Sequence, residues 1–465
     1  MSAKNIEAIY PLSPLQQGML FHTLYAPKAA VYFGQFHCTL QGDINVNAVK
    51  WAWQRVVDRH PILRTAFVWE SLDEPLQVVG RRVKLPFIEQ DWRGISPLDQ
   101  QKRLDAFLQE DRASGFDLAQ APVMRLILIR LADDAYHFIW SRPLMLLDGW
   151  SVALLLNEIA AFYDAFCEGK QINLDRSRPY ADYISWLQQQ DLSQAEAFWR
   201  RTLAGFNAAT PLGVDHPAEA GAEHDGEVFG AEQTYFSQAT TEALQTLARR
   251  ERLTLNVIVQ GAWALLLSRY SGRDDVVFGA TVSGRPPQLD GVDSMLGLFI
   301  NSLPVRVKVP ADMALVPWLQ MIQQQQAEML LYEHSPLVEV QKWSDVPRGS
   351  HLFESVVIFE NFPVEHSARE RSDDIKTHRP TLFERTNYPL TLVLEPGTEL
   401  MLQLLYDCRR FDQETIIRML GHFSALIEDM VASPEKNLAG FSVATVKEQE
   451  QLLDSFNADL EMSNF

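Results

Sequence analysis

Residues 141–151, SRPLMLLDGWS, carry the residue types expected at the exit of an active-site loop. The Asp-Gly pair at Asp148 and Gly149 is followed by Trp150 and Ser151 and opens into a long apolar stretch. Asp148 or Ser151 is expected to cap a helix beginning there, since a short side-chain oxygen can accept from first-turn N–H groups. Gly149 permits the sharp turn into it, and Trp150 reads as packing. The proton-transfer group such a loop needs is missing. Pro143 and Leu144 can neither take nor give a proton, and the Arg142 guanidinium stays protonated and cannot act as a base. Of the eleven histidines, His137 is the nearest upstream, on a strand pattern with Ile139 and Ser141 on its face. His60, beside Arg59, reads as part of a buried hydrogen-bonded corner. No two histidines have metal-ligand spacing, such as the i, i+4 pair of a zinc helix, and no metal is expected.

The elements that must hold this segment alternate between strand and helix. YFGQFHCTL has strand character, and VNAVKWAWQRVVDRH places Val46, Val49, Trp53 and Val56 at helical spacing. ILRTAFVW reads as a strand, residues 99–112 as a helix, and VMRLILIRL and AYHFIWS as a hairpin across Ala132, Asp133 and Asp134. SVALLLNEIAAFYDAFCEG is a helix with Gly169 at its end. A second series starts near Leu192. It comprises the helix LSQAEAFWRRTLAGF, a loop over 207–230, the strand QTYFSQ and a helix from TTEALQ with a threonine cap. The apolar helix TLNVIVQGAWALLLSRYSG follows, then strands at DVVFGATVSG, MLGLFINSLPVRV, HLFESVVIFENF, TLVLEP and ELMLQLLYD, and a last helix, FDQETIIRMLGHFSALIEDMVA. The repeated order predicts two similarly built mixed α/β lobes with a cleft between them.

Composition sets further bounds. A chain of 465 residues suits two domains better than one. With 47% hydrophobic and 22% charged residues, each half can build a core. A formal charge of −19 gives no overall footprint for nucleic acid, and none is expected as a partner. Cys38, Cys167 and Cys408 are far apart with no CxxC spacing, and read as buried thiols in a reducing compartment. The N-terminus lacks the apolar core of a signal peptide, and no stretch reaches roughly 18 consecutive apolar residues. A cytoplasmic chain without a membrane partner is the expectation. The glutamines at 323–326 lie inside a helical pattern and read as a solvated face.

Several segments together, in order, carry a resemblance. YPLSPLQQGMLFH, RHPILRTAF, the DGWS at Asp148 to Ser151, YADYISW, VSGRP leading to MLGLFINSLPVRV, HSPLVEVQKW and NYPLTLVL resemble the motif series of nonribosomal peptide synthetase condensation domains, with an opening similar to the subtype joining an L-donor to an L-acceptor. The resemblance implies an α/β fold of two chloramphenicol-acetyltransferase-like lobes arranged in a V with a tunnel at their junction. It implies an N-terminal lobe over 1–190, a C-terminal lobe with floor loop and latch over 191–450, and over 451–465 the start of a linker toward an adenylation domain. It further implies donor and acceptor carrier proteins as partners, each bringing a thioester on a phosphopantetheine arm, an adjacent adenylation domain, no cofactor bound to the domain itself, and a monomer.

At the site, the family's pattern is two histidines, three spacers and Asp-Gly. Counting back from Asp148 and Gly149 puts the first histidine position on Pro143 and the second, which the family uses catalytically, on Leu144; both are lost. The resemblance makes Asp148 structural, ion-paired with an arginine for which Arg59 and Arg64 are the candidates. His22, after the first motif, and His334, opening HSPLVEV, are possible tunnel contacts, as are Trp150 and Ser151. Ser283, Asn301 and Ser302 are possible contacts to a pantetheine arm or an oxyanion, with Asn301 and Leu303 on one strand face. The expected function is amide-bond formation between donor acyl and acceptor aminoacyl thioesters, impaired by the motif change. The alternative is a noncatalytic scaffold that binds carrier proteins or recruits a tailoring enzyme. A small-molecule acyltransferase of the same fold would need the same histidine and would leave the carrier-related motifs unexplained.

Overall fold

The computed structural model describes residues 3–25, 31–216, 229–360, 375–445 and 448. The chain forms two compact units. The first contains Met1–Gln190, Ser283–Asn301 and Phe362–Asn387; the second contains Asp191–Val282, Ser302–Asn361 and Tyr388–Phe465. The division of the sequence at 190/191 assigns every later residue to the second lobe, whereas two later segments pack with the first unit. The expected linker over 451–465 lies outside the described residues.

The first unit runs β1 (Ile6–Pro11), α1 (Pro14–Tyr25), β2 (Phe33–Gln41), α2 (Val46–Arg59), β3 (Thr65–Val68), β4 (Leu76–Gly80), β5 (Phe87–Asp91), α3 (Pro97–Ser114), β6 (Arg125–Arg130), β7 (Ala135–Pro143), α4 (Gly149–Cys167) and α5 (Tyr180–Gln188). The second unit holds α6 (Leu192–Leu203), β8 (Phe229–Tyr235), α7 (Gln238–Glu251), α8 (Leu255–Ser271), β9 (Asp275–Val282), β10 (Asn301–Lys308), α9 (Leu315–Leu330), α10 (Leu337–Trp343) and β11 (Ser355–Phe359). After β12 (Lys376–Glu384), which belongs to the first unit, it ends with β13 (Leu390–Glu395), β14 (Met401–Asp407) and α11 (Gln413–Ala432).

In the first unit a five-stranded sheet has the order β12-β2-β7-β6-β5, beside a small sheet β1-β4-β3. β2 and β7 are antiparallel, pairing Gly34 with Arg142 and Phe33 with Pro143, so the critical segment is fixed in register by β2. α2 starts on Asn45, whose side chain accepts from Ala48 N at 3.1 Å, and buries Ala48, Ala52, Trp53, Val56 and Val57; of the predicted positions, Trp53 and Val56 are buried while Val46 and Val49 are half-buried. Trp53 meets Trp140 and Phe138 of β7 at ring-centroid distances of 5.1 and 6.0 Å.

The core helix α4 is, among the described residues, the one helix long and apolar enough to cross a membrane by length and composition. Its Ser151, Leu155, Phe162 and Ala165 are buried, and its Glu158 engages His60 and Arg59. Most of its other residues are half-buried.

The second unit is a six-stranded sheet, β10-β9-β11-β13-β14-β8, parallel across β9, β11 and β13 and antiparallel from β13 through β14 to β8. α8 is capped by Thr254 and buried continuously from Val257 to Ser268, which explains its uniformly apolar sequence. Local expectations shift in three places. α7 is capped by Ser237, whose hydroxyl accepts from Thr240 N, so the helix begins before the expected threonine. β8 starts at Phe229, earlier than QTYFSQ suggests. MLGLFINSLPVRV is strand only from Asn301 onward. The thiols also differ from expectation: Cys38 is buried and pushed up to about 12 by that burial, Cys408 is half-buried and Cys167 is exposed.

Candidate functional site

The β7-to-α4 turn lies within the first unit. Asp148 caps α4: its Oδ1 accepts from Ser151 N at 2.8 Å. Its Oδ2 accepts from Phe299 N at 3.0 Å, and its own N–H donates to Gly297 O at 3.0 Å. The carboxylate is 3% exposed, and its cationic partner is Arg285, whose Nη2 lies 3.1 Å from Oδ1 and 3.4 Å from Oδ2. Arg285 also donates to Ser151 Oγ, Val292 O and Met295 O, and stacks its guanidinium 4.0 Å from the Phe299 ring centroid. Burial pulls its pKa below the ordinary arginine value, and Asp148 opposes that shift. Both carboxylate oxygens are thus held by donors, and the group is pinned to a cation.

This overturns the expected ion pair. Arg59 pairs with Glu158, and Arg64 donates to Glu7, Val57 O and Gly80 O; neither reaches Asp148. Glu158 of α4 takes the Arg59 guanidinium, and Glu7 of β1 takes that of Arg64. Arg285 lies in VSGRP, one of the segments that carry the resemblance, and a sequence separation of 137 residues hid its pairing with Asp148.

Ser151 donates through Oγ to Gly297 O at 2.9 Å and accepts from Gly297 N at 3.1 Å, tying α4 to the 283–301 segment. Gly149 is the first residue of α4, directly after the cap. Trp150 is half-buried, with Nε1 donating to Asp293 O at 3.0 Å, which uses its indole for structure. A side chain on Gly297 would overlap the ring of Tyr180, whose hydroxyl donates to Leu298 O at 2.5 Å.

Pro143 ends β7, and Leu144 follows it with its N–H donating to Tyr32 O at 2.7 Å and its side chain 9% exposed. Tyr32 OH donates to Asn387 Oδ1 at 2.5 Å, and Asn387 Nδ2 donates to His22 Nε2 at 3.1 Å. His22 is therefore joined to Leu144 through Asn387 and Tyr32. His137 sits on the opposite face of β7 from Leu144, its Nδ1 3.1 Å from Thr39 Oγ1, and burial pushes it down to about 4. It is not part of the turn.

His60 binds Glu158 at 2.6 Å in the buried corner. Ser283 is exposed and Asn301 half-buried, both in the first unit. In the second unit Ser302 is buried and bonded to the Tyr388 hydroxyl, while His334 is half-buried and lowered in pKa by burial. Among the described residues, no three His, Cys, Asp or Glu side chains are grouped to hold a metal.

Arg142 is 4% exposed, with Nη2 3.3 Å from Glu384 of β12, and its Nε and Nη1 have no acceptor among the described residues.

The family model described as "Condensation domain" matches residues 6–453. One of the linear gramicidin synthase subunits of Brevibacillus parabrevis is 44% identical over 98% of this chain, and surfactin synthase subunit 3 of Bacillus subtilis (strain 168) is 30% identical over 98%. The chain spans 6% of the first and 35% of the second, a small part of either. Among solved structures, the starter condensation domain of rhizomide synthetase RzmA aligns over 94% of this chain and 100% of its own, with a TM-score of 0.76 at 18% identity. A four-domain nonribosomal peptide synthetase, holo-AB3403, aligns over 95% of this chain and 34% of its own, with a TM-score of 0.78 at 20% identity. At these identities the structural likeness speaks for the fold.

Proposed function

Because the chain belongs to the condensation-domain family, we propose that it is a nonribosomal peptide synthetase condensation domain whose scaffold is kept and whose amide-forming step is impaired. In the family reaction, the amine of an acceptor aminoacyl thioester attacks the carbonyl carbon of a donor acyl thioester. The carbonyl π pair moves to oxygen, and collapse of the adduct expels the donor thiolate as the amide forms. The proton on nitrogen must leave and the thiolate must gain one, so a neutral imidazole at the Leu144 position would serve both. An aliphatic side chain there can do neither. Loss of a general base costs roughly 10²- to 10⁴-fold in rate.

The observation that carries this reading is the pairing of an intact Asp148–Arg285 lock with a non-titratable Leu144 on the same turn. Asp148 is already occupied by Ser151 N, Phe299 N and Arg285, and is no substitute base. Donor and acceptor carrier proteins, bringing thioesters on phosphopantetheine arms, and a neighbouring adenylation domain are the partners in this account. The preserved lock also favours a second reading: a domain retained to bind carrier proteins without turning over.

Native chain mixed with donor- and acceptor-loaded carrier proteins is expected to bind the carriers while forming amide at least about 10²-fold slower than a histidine-bearing relative. Amide formation at the relative's rate contradicts impairment. Absence of carrier binding contradicts both readings.

A further inference from the structure

β2 and β7 place two histidines on one face of the first unit's sheet. Thr39 pairs with His137 and His37 with Ile139. Alternation puts all four on the face where Ile139 packs with Leu104 and Leu108 of α3. The two imidazole centroids lie 5.3 Å apart at an interplanar angle of 41°. His137 is 5% exposed and His37 is half-buried. His37 Nδ1 and His137 Nε2 are both buried without a hydrogen-bond partner among the described residues. Buried polar atoms are nearly always served, so two orphaned ring nitrogens on neighbouring strands call for a shared partner from outside the chain.

The surroundings fix the class of that partner. His137 Nδ1 lies 3.1 Å from Thr39 Oγ1. With Nδ1–H donating to that hydroxyl, Nε2 keeps its lone pair, the arrangement that an outer oxygen imposes on metal-binding imidazoles. Burial holds both imidazoles below their ordinary pKa, His137 at about 4, so both are neutral at pH 7 and a bound cation displaces no proton. Arg112 and Asp105 of α3 act on His37 with opposite sign, so the site supplies two neutral nitrogens and no net anion. A divalent ion there is a buried, uncompensated charge, and among the described residues no three ligating side chains are grouped to complete its shell. A monovalent d10 ion is satisfied by two nitrogens in line, and copper takes imidazole readily. Metal–nitrogen bonds of about 2 Å set the two nitrogens about 4 Å apart. Rings with centroids 5.3 Å apart can offer that span.

We propose that His37 Nδ1 and His137 Nε2 form a two-coordinate site for Cu(I), a function separate from amide formation. The bound ion joins β2 to β7, the strand pair whose register sets Phe33 against Pro143.

The test titrates Cu(I) anaerobically, against a chromogenic chelator, into the full chain carrying Cys167→Ser and Cys408→Ser, which removes the exposed and half-buried thiols as competing ligands. Cys38 stays, buried on the other face of β2 with its thiol pushed up by that burial. One ion per chain is expected, with X-ray absorption showing two nitrogen neighbours and no sulfur. His37→Gln and His137→Gln should each weaken binding by at least about 100-fold, and Thr39→Val, which removes only the outer partner, by about 10- to 100-fold. Thr39→Val keeps both ligands and so reports on the site even where a histidine variant fails to fold. No bound ion, sulfur neighbours, Zn(II) held as tightly as Cu(I), or an affinity unchanged by these substitutions overturns the site.

Discussion

Asp148→Ala and Arg285→Met each strand a buried group, and the two losses must be coupled. Asp148 is 3% exposed and Arg285 8% exposed, with Nη2 shared between the carboxylate and Ser151 Oγ. Removing one member of a buried pair leaves an uncompensated charge and costs about 3–5 kcal/mol. In Asp148→Ala the first-turn acceptor for Ser151 N is also lost, about 1 kcal/mol within that range. Asp148→Ala with Arg285→Met removes both charges. It leaves the cap, the Phe299 N–H and the Met295 carbonyl that Arg285 served without partners, roughly 3 kcal/mol in all. The double variant should therefore be more stable than either single one, with a coupling energy of several kcal/mol. Urea unfolding read by hydrogen exchange of α4 peptides isolates this unit, since two units need not unfold together. Additive effects, or single losses below about 1 kcal/mol, would refute the assignment of Arg285 as the partner of Asp148.

Three further outcomes follow from the same geometry. Gly297→Ala forces a methyl into the Tyr180 ring and should destabilise the first unit by about 1–3 kcal/mol, measured by the same exchange assay. Burial holds His137 at about 4, so the unfolded chain binds more protons between that value and its ordinary one near 6.5. Stability is then fully present above about 6.5 and lost as pH falls toward about 4, with a slope approaching about 1.4 kcal/mol per pH unit from this group. His137→Gln should flatten that part of a stability-against-pH curve. His60→Ala leaves Glu158 without its 2.6 Å partner and should lower the protection of α4, since the two side chains join α4 to the end of α2.

Much of the first unit is written in local pattern. The spacing of Trp53 and Val56 gives the buried face of α2, and the turn across Ala132 to Asp134 gives the antiparallel β6–β7 pair, because both rest on contacts between near neighbours. What was illegible is long-range. β12 pairs with β2, joining Lys376 to Gln41 and Glu384 to Gly34, and no local pattern encodes a strand partner so far upstream. For the same reason Arg59 and Arg64 looked available to Asp148, while Glu158 and Glu7, the acceptors that occupy them, could not be placed beside them. The absence of a histidine at Leu144 was legible only through the resemblance, whose motif spacing counts back to it from Asp148 and Gly149. The unserved donors of Arg142 were not, because a sequence shows a guanidinium but not whether anything accepts from it.

In the proposed reading, this turn keeps the Asp148–Arg285 pair but has no proton-handling side chain at Leu144. Amide formation should be measured in single turnover with loaded donor and acceptor carrier proteins, comparing the native chain with Leu144→His and with Pro143→His/Leu144→His. The account predicts a gain of about 10²-fold or more in the variants, with a new titration attributable to imidazole. Equal rates in all three, at the level of a histidine-bearing relative, would contradict it.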